Sequence, residues 1–180
     1  MSTPTKGQKS ELDLADEINA LADEINSILE SKQKDRYFEG IAILHSFIED
    51  LLKWLLFTQI VWNKSSEVPG VMALGEIEQI RDYCNQMNFI SLLNVGLAVG
   101  LFDFKLFKKL NSIRLERNSL VHQYWLYVHK GRRHIFRKKL EKLANTSSEL
   151  VECFNRLVEE IGGMDDSFFK ISTARRKFVI

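Results

Sequence analysis

The sequence predicts an all-α fold, an up-and-down bundle of four to five helices with an extra amphipathic helix at its N-terminal end. Three observations lead to this prediction. The 180 residues include only 2 Pro and 9 Gly, too few for the many turns of an all-β fold. Apolar residues recur at spacings of three and four through most of the chain. Hydrophobic residues make up 45% of the chain and charged residues 27%, the balance of a protein with a packed core.

The first two helices are predicted over residues 10–33 and 35–62, after a loose polar tail at residues 1–9. In the first helix, the segment LADEIN occurs twice, one heptad apart, and creates an apolar seam. Two heptads are too few to identify a coiled coil, so the seam predicts a helix packed on its own domain or, alternatively, a dimer-forming helix. The second helix has a wide apolar stripe, which predicts a place at the core. His45 lies in that stripe and is interpreted as a satisfied core residue.

Four further helices are predicted over residues 76–86, 88–99, 104–127 and 133–161. Gly100 fits a C-cap and Asp103 fits the N-cap of the helix that follows it. In the last helix, the segment NTSS at 145–148 is expected to cause a bend or a break. The chain therefore predicts one helical domain over residues 10–162, with its core at about 35–160, and a C-terminal tail at residues 163–180.

The formal net charge of +1 conceals a strong asymmetry along the chain. Residues 1–50 carry a net charge of −6 and residues 101–142 a net charge of +9, which indicates one basic face rather than a basic protein. Two cysteines are too few for a disulfide framework. The polar N-terminus has no apolar signal-peptide core, and the apolar segment 88–102 is shorter than the ~20 residues that span a bilayer. We therefore expect a cytoplasmic protein without a membrane partner.

The polar residues of the helix at 104–127 suggest chemistry on RNA. Arg114, Asn118 and His122 are four apart in turn and so lie along one face, while the long side chain of Arg117 can reach the same groove as the His122 ring. Arginine grips a phosphate through two hydrogen bonds, histidine moves a proton near neutral pH, and asparagine orients either group. Metal-free cleavage of RNA needs these side-chain types. The alternative is an ordinary surface arginine and a half-buried histidine. The scattered His and Cys residues lead us to expect no metal and no cofactor.

The segment RNSLVH, from Arg117 to His122, matches the R-x(4–6)-H motif of HEPN domains, including the polar residue directly after the arginine. Tyr124 extends the match to R-x4-H-x-Y, a form that resembles the HEPN toxins paired with nucleotidyltransferase antitoxins. The apolar helix before the motif and the early helix at 35–62 are also similar to core helices of a HEPN bundle. The resemblance covers roughly residues 35–160. A more distant resemblance is to bundles related to the mannitol operon repressor, which are not nucleases.

The resemblance implies a helical bundle that forms a homodimer, in which the motifs of two protomers face each other and build a metal-independent ribonuclease site. By this comparison Arg117 and His122 are the catalytic pair and Asn118 supports them. Tyr124 corresponds to a tyrosine that a nucleotidyltransferase-type antitoxin partner modifies. The expected function is a metal-independent endoribonuclease, a toxin or defence protein. The alternative is a non-catalytic HEPN-like regulator or adaptor that binds a protein partner, a nucleotide or nucleic acid. An unrelated bundle with a coincidental motif is the third hypothesis.

A basic run follows the motif and is consistent with contact to RNA. The candidate RNA-binding residues are Arg114, Lys130, Arg132, Arg133 and Arg137. Cations of this kind neutralise phosphates, so RNA affinity is expected to fall as salt rises. The alternative is an ordinary solvated face, which is the usual place for a run of charged residues.

Overall fold

The structure, a computed structural model, describes residues 12–30, 36–67, 74–129 and 134–162, and these residues are all-helical apart from short connections. The helices are α1 (Leu12–Glu30), α2 (Tyr37–Glu67), α3 (Leu74–Gln86), α4 (Phe89–Ala98), α5 (Phe104–His129) and α6 (His134–Gly162). Within the helices, the side chains outside the described set are those of residues 12, 13, 67, 74, 121–123, 125, 126, 128, 129 and 162. The all-α prediction is confirmed, and the described helices share one hydrophobic core.

Helix α2 lies at the centre of this core, where it packs against α1, α3, α4 and α6. Its wide apolar stripe buries six leucine and isoleucine residues to 2% exposure or less: Leu44, Ile48, Leu51, Leu52, Leu55 and Leu56. The helix ends at Glu67, five residues beyond the predicted end. The Ser66 hydroxyl donates to the carbonyl of Trp62 at 2.9 Å, and Lys64 pairs with Glu76 of α3 at 2.7 Å. These contacts stabilise an additional turn that the polar sequence after Trp62 did not indicate.

Helix α1 packs on its own domain rather than presenting an apolar seam to another chain. Ile18, Ile25 and Ile28 are fully buried, and the helix contacts both α2 and α6. Its acidic side chains lie on the opposite side, where Glu24 accepts a hydrogen bond from Arg36 at 3.3 Å. The isoleucines of the seam are therefore already covered within the chain, as one of the two interpretations of the heptad pair predicts.

Local capping sets the boundary between α4 and α5. The Asn88 side chain accepts from the N–H of Ser91 at 3.0 Å and caps the start of α4. At the other end, Gly100 has a φ of 77°, a left-handed conformation that glycine adopts without a steric penalty. Asp103 then accepts from the N–H of Leu106 at 2.8 Å and caps α5. The predicted N-cap Asp103 is confirmed, whereas the C-cap of α4 is Val99 and Gly100 is the left-handed residue directly after it. Together these residues determine where the motif-bearing helix begins.

Helix α6 runs without a break through the NTSS segment, so the expectation of a break at 145–148 was wrong. The hydroxyls of Thr146, Ser147 and Ser148 each donate to the carbonyl four residues earlier, at 3.0, 3.0 and 3.2 Å. These bonds satisfy the polar groups inside the helix, which allows Ser147 to be fully buried. None of the described helices is both long and apolar enough to cross a bilayer.

Candidate functional site

Arg117 lies on the side of α5 that faces the core. It follows Ile113 by four residues and precedes Leu120 by three, so the three residues share one side of the helix. Ile113 and Leu120 are 4% and 3% exposed, whereas Arg117 is exposed. The long arginine side chain explains the difference, because its apolar stem can cover the stripe while its charged end reaches water. A charged residue in this register is unfavourable for packing, and it marks the position as a candidate functional site.

Helices α2, α5 and α6 form a small pocket beside Arg117, here called the Arg117 pocket. The space in it that a water molecule can occupy is about 20 Å³. Aliphatic walls come from all three helices: Ile41, Ile113, Leu120 and Leu143. The polar lining consists of His45 from α2, Glu116 and Arg117 from α5, and Lys139 and Lys142 from α6. The pocket therefore combines an apolar interior with three cations and a single carboxylate.

His45 is the buried polar group of the Arg117 pocket. It is 2% exposed, its ring centroid lies 5.2 Å from that of Phe89, and neither ring nitrogen has a hydrogen-bond partner among the described residues. The predicted position of His45 in the core is confirmed by its burial, while the expectation that its ring is satisfied stays a prediction, because no described residue bonds to it. Burial, and after it the positive charge of Arg117, lowers the pKa of His45 to about 4. The imidazole is therefore neutral at pH 7 and offers one donor and one acceptor.

The Arg117 guanidinium has no hydrogen bond or ion pair with another described residue, which distinguishes it from the cations around it. Lys142 donates to Glu116, and Lys139 lies 3.6 Å from the other oxygen of the same carboxylate. Although burial acts in the opposite direction, these lysines lower the pKa of Glu116 and keep it charged. Arg114 donates to Asn111 at 3.0 Å. Among the described cations that line the pocket, Arg117 is thus the one without an ion pair to a described residue.

Of the other predicted site residues, some lie in the described part of the structure and some lie outside it. Arg114 and Asn118 lie on α5, as predicted, and position 122 continues their face of the helix. Position 122 lies about 140° around the helix axis from Arg117, because five residues at 100° each give that angle. The side chain of His122 is outside the described side chains, and Lys130, Arg132 and Arg133 are outside the described residues. Arg137 donates to Glu141 at 2.9 Å, so its charge is already paired.

Tyr124 lies on the same side of α5 as Arg117, seven residues further along the helix. Its ring packs 4.3 Å from the ring of Phe38 and 6.0 Å from that of Phe136. The residue is nevertheless 41% exposed. The tyrosine is therefore held by aromatic contacts from α2 and α6 while part of it stays open to solvent.

His45 and Glu116 are functional candidates that the sequence did not reveal. Within α2, His45 has the same spacing as the leucines around it, and only the arrangement of α2 against α5 brings it to Arg117. Glu116 is one acidic residue in a basic stretch, and its pairing with two lysines of α6 depends on helix packing. Among the described residues, no three His, Cys, Asp or Glu side chains are grouped as a metal site.

Comparison with known proteins gives no relative on which to base a function. The chain matches no protein-family model, no curated protein and no solved structure.

Proposed function

We propose that this protein is a metal-independent endoribonuclease of the HEPN type, a toxin or defence protein that cleaves RNA as a homodimer. The observation that carries the proposal is the Arg117 guanidinium, which is exposed, makes no ion pair with the described residues and belongs to the RNSLVH motif. An arginine placed in this way can hold a phosphate through two parallel hydrogen bonds. The aliphatic neighbours Ile113 and Leu120 fix the helix face from which it extends.

In the proposed reaction the 2′-hydroxyl of RNA attacks the adjacent phosphorus. A general base takes the 2′-hydroxyl proton, the new P–O bond forms, and the bond from phosphorus to the 5′-oxygen breaks as that oxygen receives a proton. Arg117 stabilises the additional negative charge of the pentavalent transition state. His122 transfers protons and Asn118 orients the reacting groups. All atoms of the RNA remain in the two products, so no water is consumed in this step.

The placement of the motif on one helix supports a homodimer. Positions 117 and 122 point about 140° apart around α5, a large angle for two groups that act on one phosphate. A second copy facing the first would bring the histidine of one protomer towards the arginine of its partner. The composite site would then contain two arginines and two histidines, enough for a separate acid and base.

Tyr124 is the proposed site of regulation by a nucleotidyltransferase-type antitoxin. Seven residues of α-helix correspond to about 10 Å along the axis, so Tyr124 and Arg117 lie two turns apart on the same side. A nucleotide attached to the tyrosine would add negative charge and bulk near the arginine. Both changes would oppose the binding of an RNA phosphate.

One observation favours the second candidate function, a non-catalytic HEPN-like regulator or adaptor that binds a protein, a nucleotide or nucleic acid. Of the cations near the motif, Arg137 is paired with Glu141, and Lys139 and Lys142 are paired with Glu116. Paired cations contribute less to RNA affinity than free ones, because each must first give up its carboxylate. This candidate uses the same pocket for binding without cleavage.

RNA cleavage by the purified protein, with and without EDTA, tests the proposal. The wild type and His134→Ala, an exposed histidine of α6 used as the matched control, should cut RNA equally well in EDTA. His122→Ala should lose the activity while its circular dichroism stays helical. Cutting that EDTA abolishes would contradict the metal-independent reaction. A folded wild-type dimer that cuts none of several RNAs would favour the regulator or adaptor.

A further inference from the structure

Phe104 is a large apolar side chain that the fold leaves open to solvent at the start of α5. It is 56% exposed, whereas Leu106 and Leu110, on the opposite side of the same helix, are buried. The Phe107 ring lies nearly parallel to it, with 5.7 Å between the ring centroids and 9° between the ring planes. Parallel rings at this separation overlap only in part, so the contact orients Phe104 and leaves much of its ring uncovered.

Two lysines beside Phe104 add positive charge to this apolar surface. The Lys108 ammonium lies 4.6 Å from the centroid of the Phe104 ring, and Lys105 is exposed at the next position of the helix. Neither lysine forms an ion pair with a described residue, in contrast to Lys109, which pairs with Glu149 of α6. Phe104, Lys105 and Lys108 are here called the Phe104 patch.

The Phe104 patch lies on the same face of α5 as position 122 of the motif. Eighteen residues are five full turns of an α-helix, or about 27 Å, so positions 104 and 122 point in the same direction. Leu115 lies within about 20° of this direction and is 54% exposed. Asn118 is also exposed, about 40° to the other side. A line of open positions therefore connects the aromatic ring with the motif.

An exposed aromatic ring with unpaired cations beside it suits a single strand of nucleic acid. A base can stack on the ring, while the phosphates on either side of that base attract the lysines. The base must be unpaired, because neighbouring base pairs cover its faces in a duplex. From position 104 to position 120, α5 has five cations and one carboxylate, and that carboxylate, Glu116, is paired with lysines of α6. The charge of the helix thus complements a polyanion.

The same charge argues against a second copy of this chain as the occupant of the patch. Two Phe104 patches in contact would bring four lysines together, and like charges across an interface oppose association. The neighbouring carboxylate, Asp103, accepts the backbone N–H of Leu106 as the cap of α5. In the proposed homodimer the partner meets the motif region, about 20 Å further along the helix. The patch is therefore separate from that contact.

We infer that the Phe104 patch binds single-stranded RNA, with one base stacked on Phe104 and the flanking phosphates held by Lys105 and Lys108. The strand then follows the outer face of α5 towards the motif. The inference rests on the proposed function for the choice of RNA, since single-stranded DNA presents similar bases and phosphates. It specifies unpaired RNA as the substrate and adds a contact about 20 Å from Arg117 that takes no part in the chemical step.

Fluorescence anisotropy of the full-length protein with a labelled oligonucleotide of about ten nucleotides tests the stacking contact. The probe is 2′-O-methyl RNA, because its blocked 2′-oxygen prevents cleavage. Phe104→Leu should weaken binding by about five- to 100-fold, the usual effect of losing one base–aromatic stack, without changing the salt dependence. Phe104→Tyr should keep most of the affinity. The control Tyr83→Leu removes another exposed aromatic ring, from α3, and should bind as the wild type does.

Lysine variants measure the phosphate contacts separately from the stacking contact. Lys105→Gln and Lys108→Gln should each reduce the slope of log K against log salt by about 0.7, the contribution of one phosphate contact to a single strand. The control Lys64→Gln removes a lysine near the end of α2, which is paired with Glu76, and should leave the slope unchanged. Unchanged slopes in both variants of the patch would contradict the phosphate contacts.

Oligonucleotides of one sequence identify the ligand. A duplex should bind more weakly than the single strand, and equal binding of the two would overturn the inference, as would equal affinity of Phe104→Leu and the wild type. Similar binding of single-stranded RNA and DNA supports the stacking surface, whereas binding of DNA alone would reject RNA as its ligand. A dimer that dissociates in Phe104→Leu, with unchanged RNA affinity, would assign the patch to a second copy of the chain.

Cleavage of unmodified RNA by the same proteins separates this inference from the proposed function. A wild type that cleaves RNA while Phe104→Leu binds and cleaves equally well would retain the nuclease and reject the Phe104 patch. A wild type that binds single strands through Phe104 and cleaves no RNA would retain the patch and reject the nuclease.

Discussion

Arg117 and His45 line the same pocket from opposite helices, and the charge of the arginine acts together with burial to lower the pKa of the histidine to about 4. The two residues are 72 positions apart in the chain. A more stable arrangement would place an apolar residue at position 45, since the buried ring there has no hydrogen-bond partner among the described residues. Departures of this kind from the packing rules are expected where a protein has a function to carry out.

The first prediction concerns acid sensitivity. Between about pH 6.5 and pH 4 the unfolded chain binds a proton at His45 that the folded chain does not bind, so stability falls as the pH falls. From pH 7 to pH 5, the free energy of unfolding should decrease by about 2 kcal/mol through this residue. Urea denaturation at a series of pH values measures the decrease.

His45→Phe supplies the comparison for that measurement. At pH 7 it should be more stable than the wild type by about 1 kcal/mol, because it removes two buried nitrogens that have no partner among the described residues. The decrease in stability between pH 7 and pH 5 should be smaller by the amount that His45 contributed. A variant with the same pH dependence as the wild type would show that His45 does not titrate as its burial requires.

The second prediction separates the charge of Arg117 from its geometry. Arg117→Ala should lower the rate of RNA cleavage by about 10²- to 10³-fold, the usual effect of removing a group that stabilises transition-state charge. Arg117→Lys should recover only part of the rate, because lysine cannot form two parallel hydrogen bonds to one phosphate. The free energy of unfolding should change by less than about 0.5 kcal/mol in either variant, since the side chain is exposed and makes no ion pair with the described residues.

Arg36→Ala is the matched control for these variants. Arg36 is an arginine outside the pocket that pairs with Glu24 and Glu39. Its loss should leave the cleavage rate unchanged. Full activity of Arg117→Ala would show that Arg117 has no role in the reaction.

The third prediction concerns Glu116, which holds Lys139 and Lys142 in ion pairs. Glu116→Gln removes a negative charge from the pocket and releases both lysines. RNA affinity should therefore increase, and the slope of log K against log salt should steepen by about one to two. Fluorescence anisotropy with labelled RNA at several salt concentrations measures both quantities. The control is Glu159→Gln, an exposed residue near the end of α6 that makes the same change in net charge. Equal effects of the two substitutions would show that the increase in RNA affinity comes from net charge alone.

The fourth prediction tests the packing that supports α5. A Cβ atom at Gly96 would lie 2.8 Å from two ring atoms of Phe102, which is buried. Gly96→Ala should therefore lower the free energy of unfolding by about 1–3 kcal/mol, and Phe102→Leu in the same chain should relieve part of the loss. Gly75→Ala is the control, because it has open space around it in α3 and should stabilise by about 0.5–1 kcal/mol through helix propensity. Similar stabilities of the two alanine variants would show that α4 does not pack against Phe102 as described.

The positions of the helices could be predicted from the sequence because they depend on neighbouring residues. Helical hydrogen bonds reach only four residues, so the ends of helices can be predicted from nearby residues. Asp103 caps α5 as predicted, and Gly100 lies one residue after the C-cap of α4. The same local rule misled the prediction at residues 145–148. A serine or threonine hydroxyl can bond to the carbonyl four residues earlier as readily as it can end a helix.

The sequence alone also determined which polar side chains α5 carries and how they are spaced around its axis. The order Arg117, Asn118, His122 is fixed by the chain, and a helix places these residues at known angles. Tertiary structure alone decided what surrounds Arg117. The pairing of helices depends on packing between apolar stripes that are far apart in the sequence. No local pattern in α2 therefore identifies His45 as the residue that shares a pocket with Arg117. The packing of α2, α5 and α6 brought His45, Arg117 and the ion pairs of Glu116 into one pocket. Among the described residues, the His45 ring has no hydrogen-bond partner and Arg117 has no ion pair.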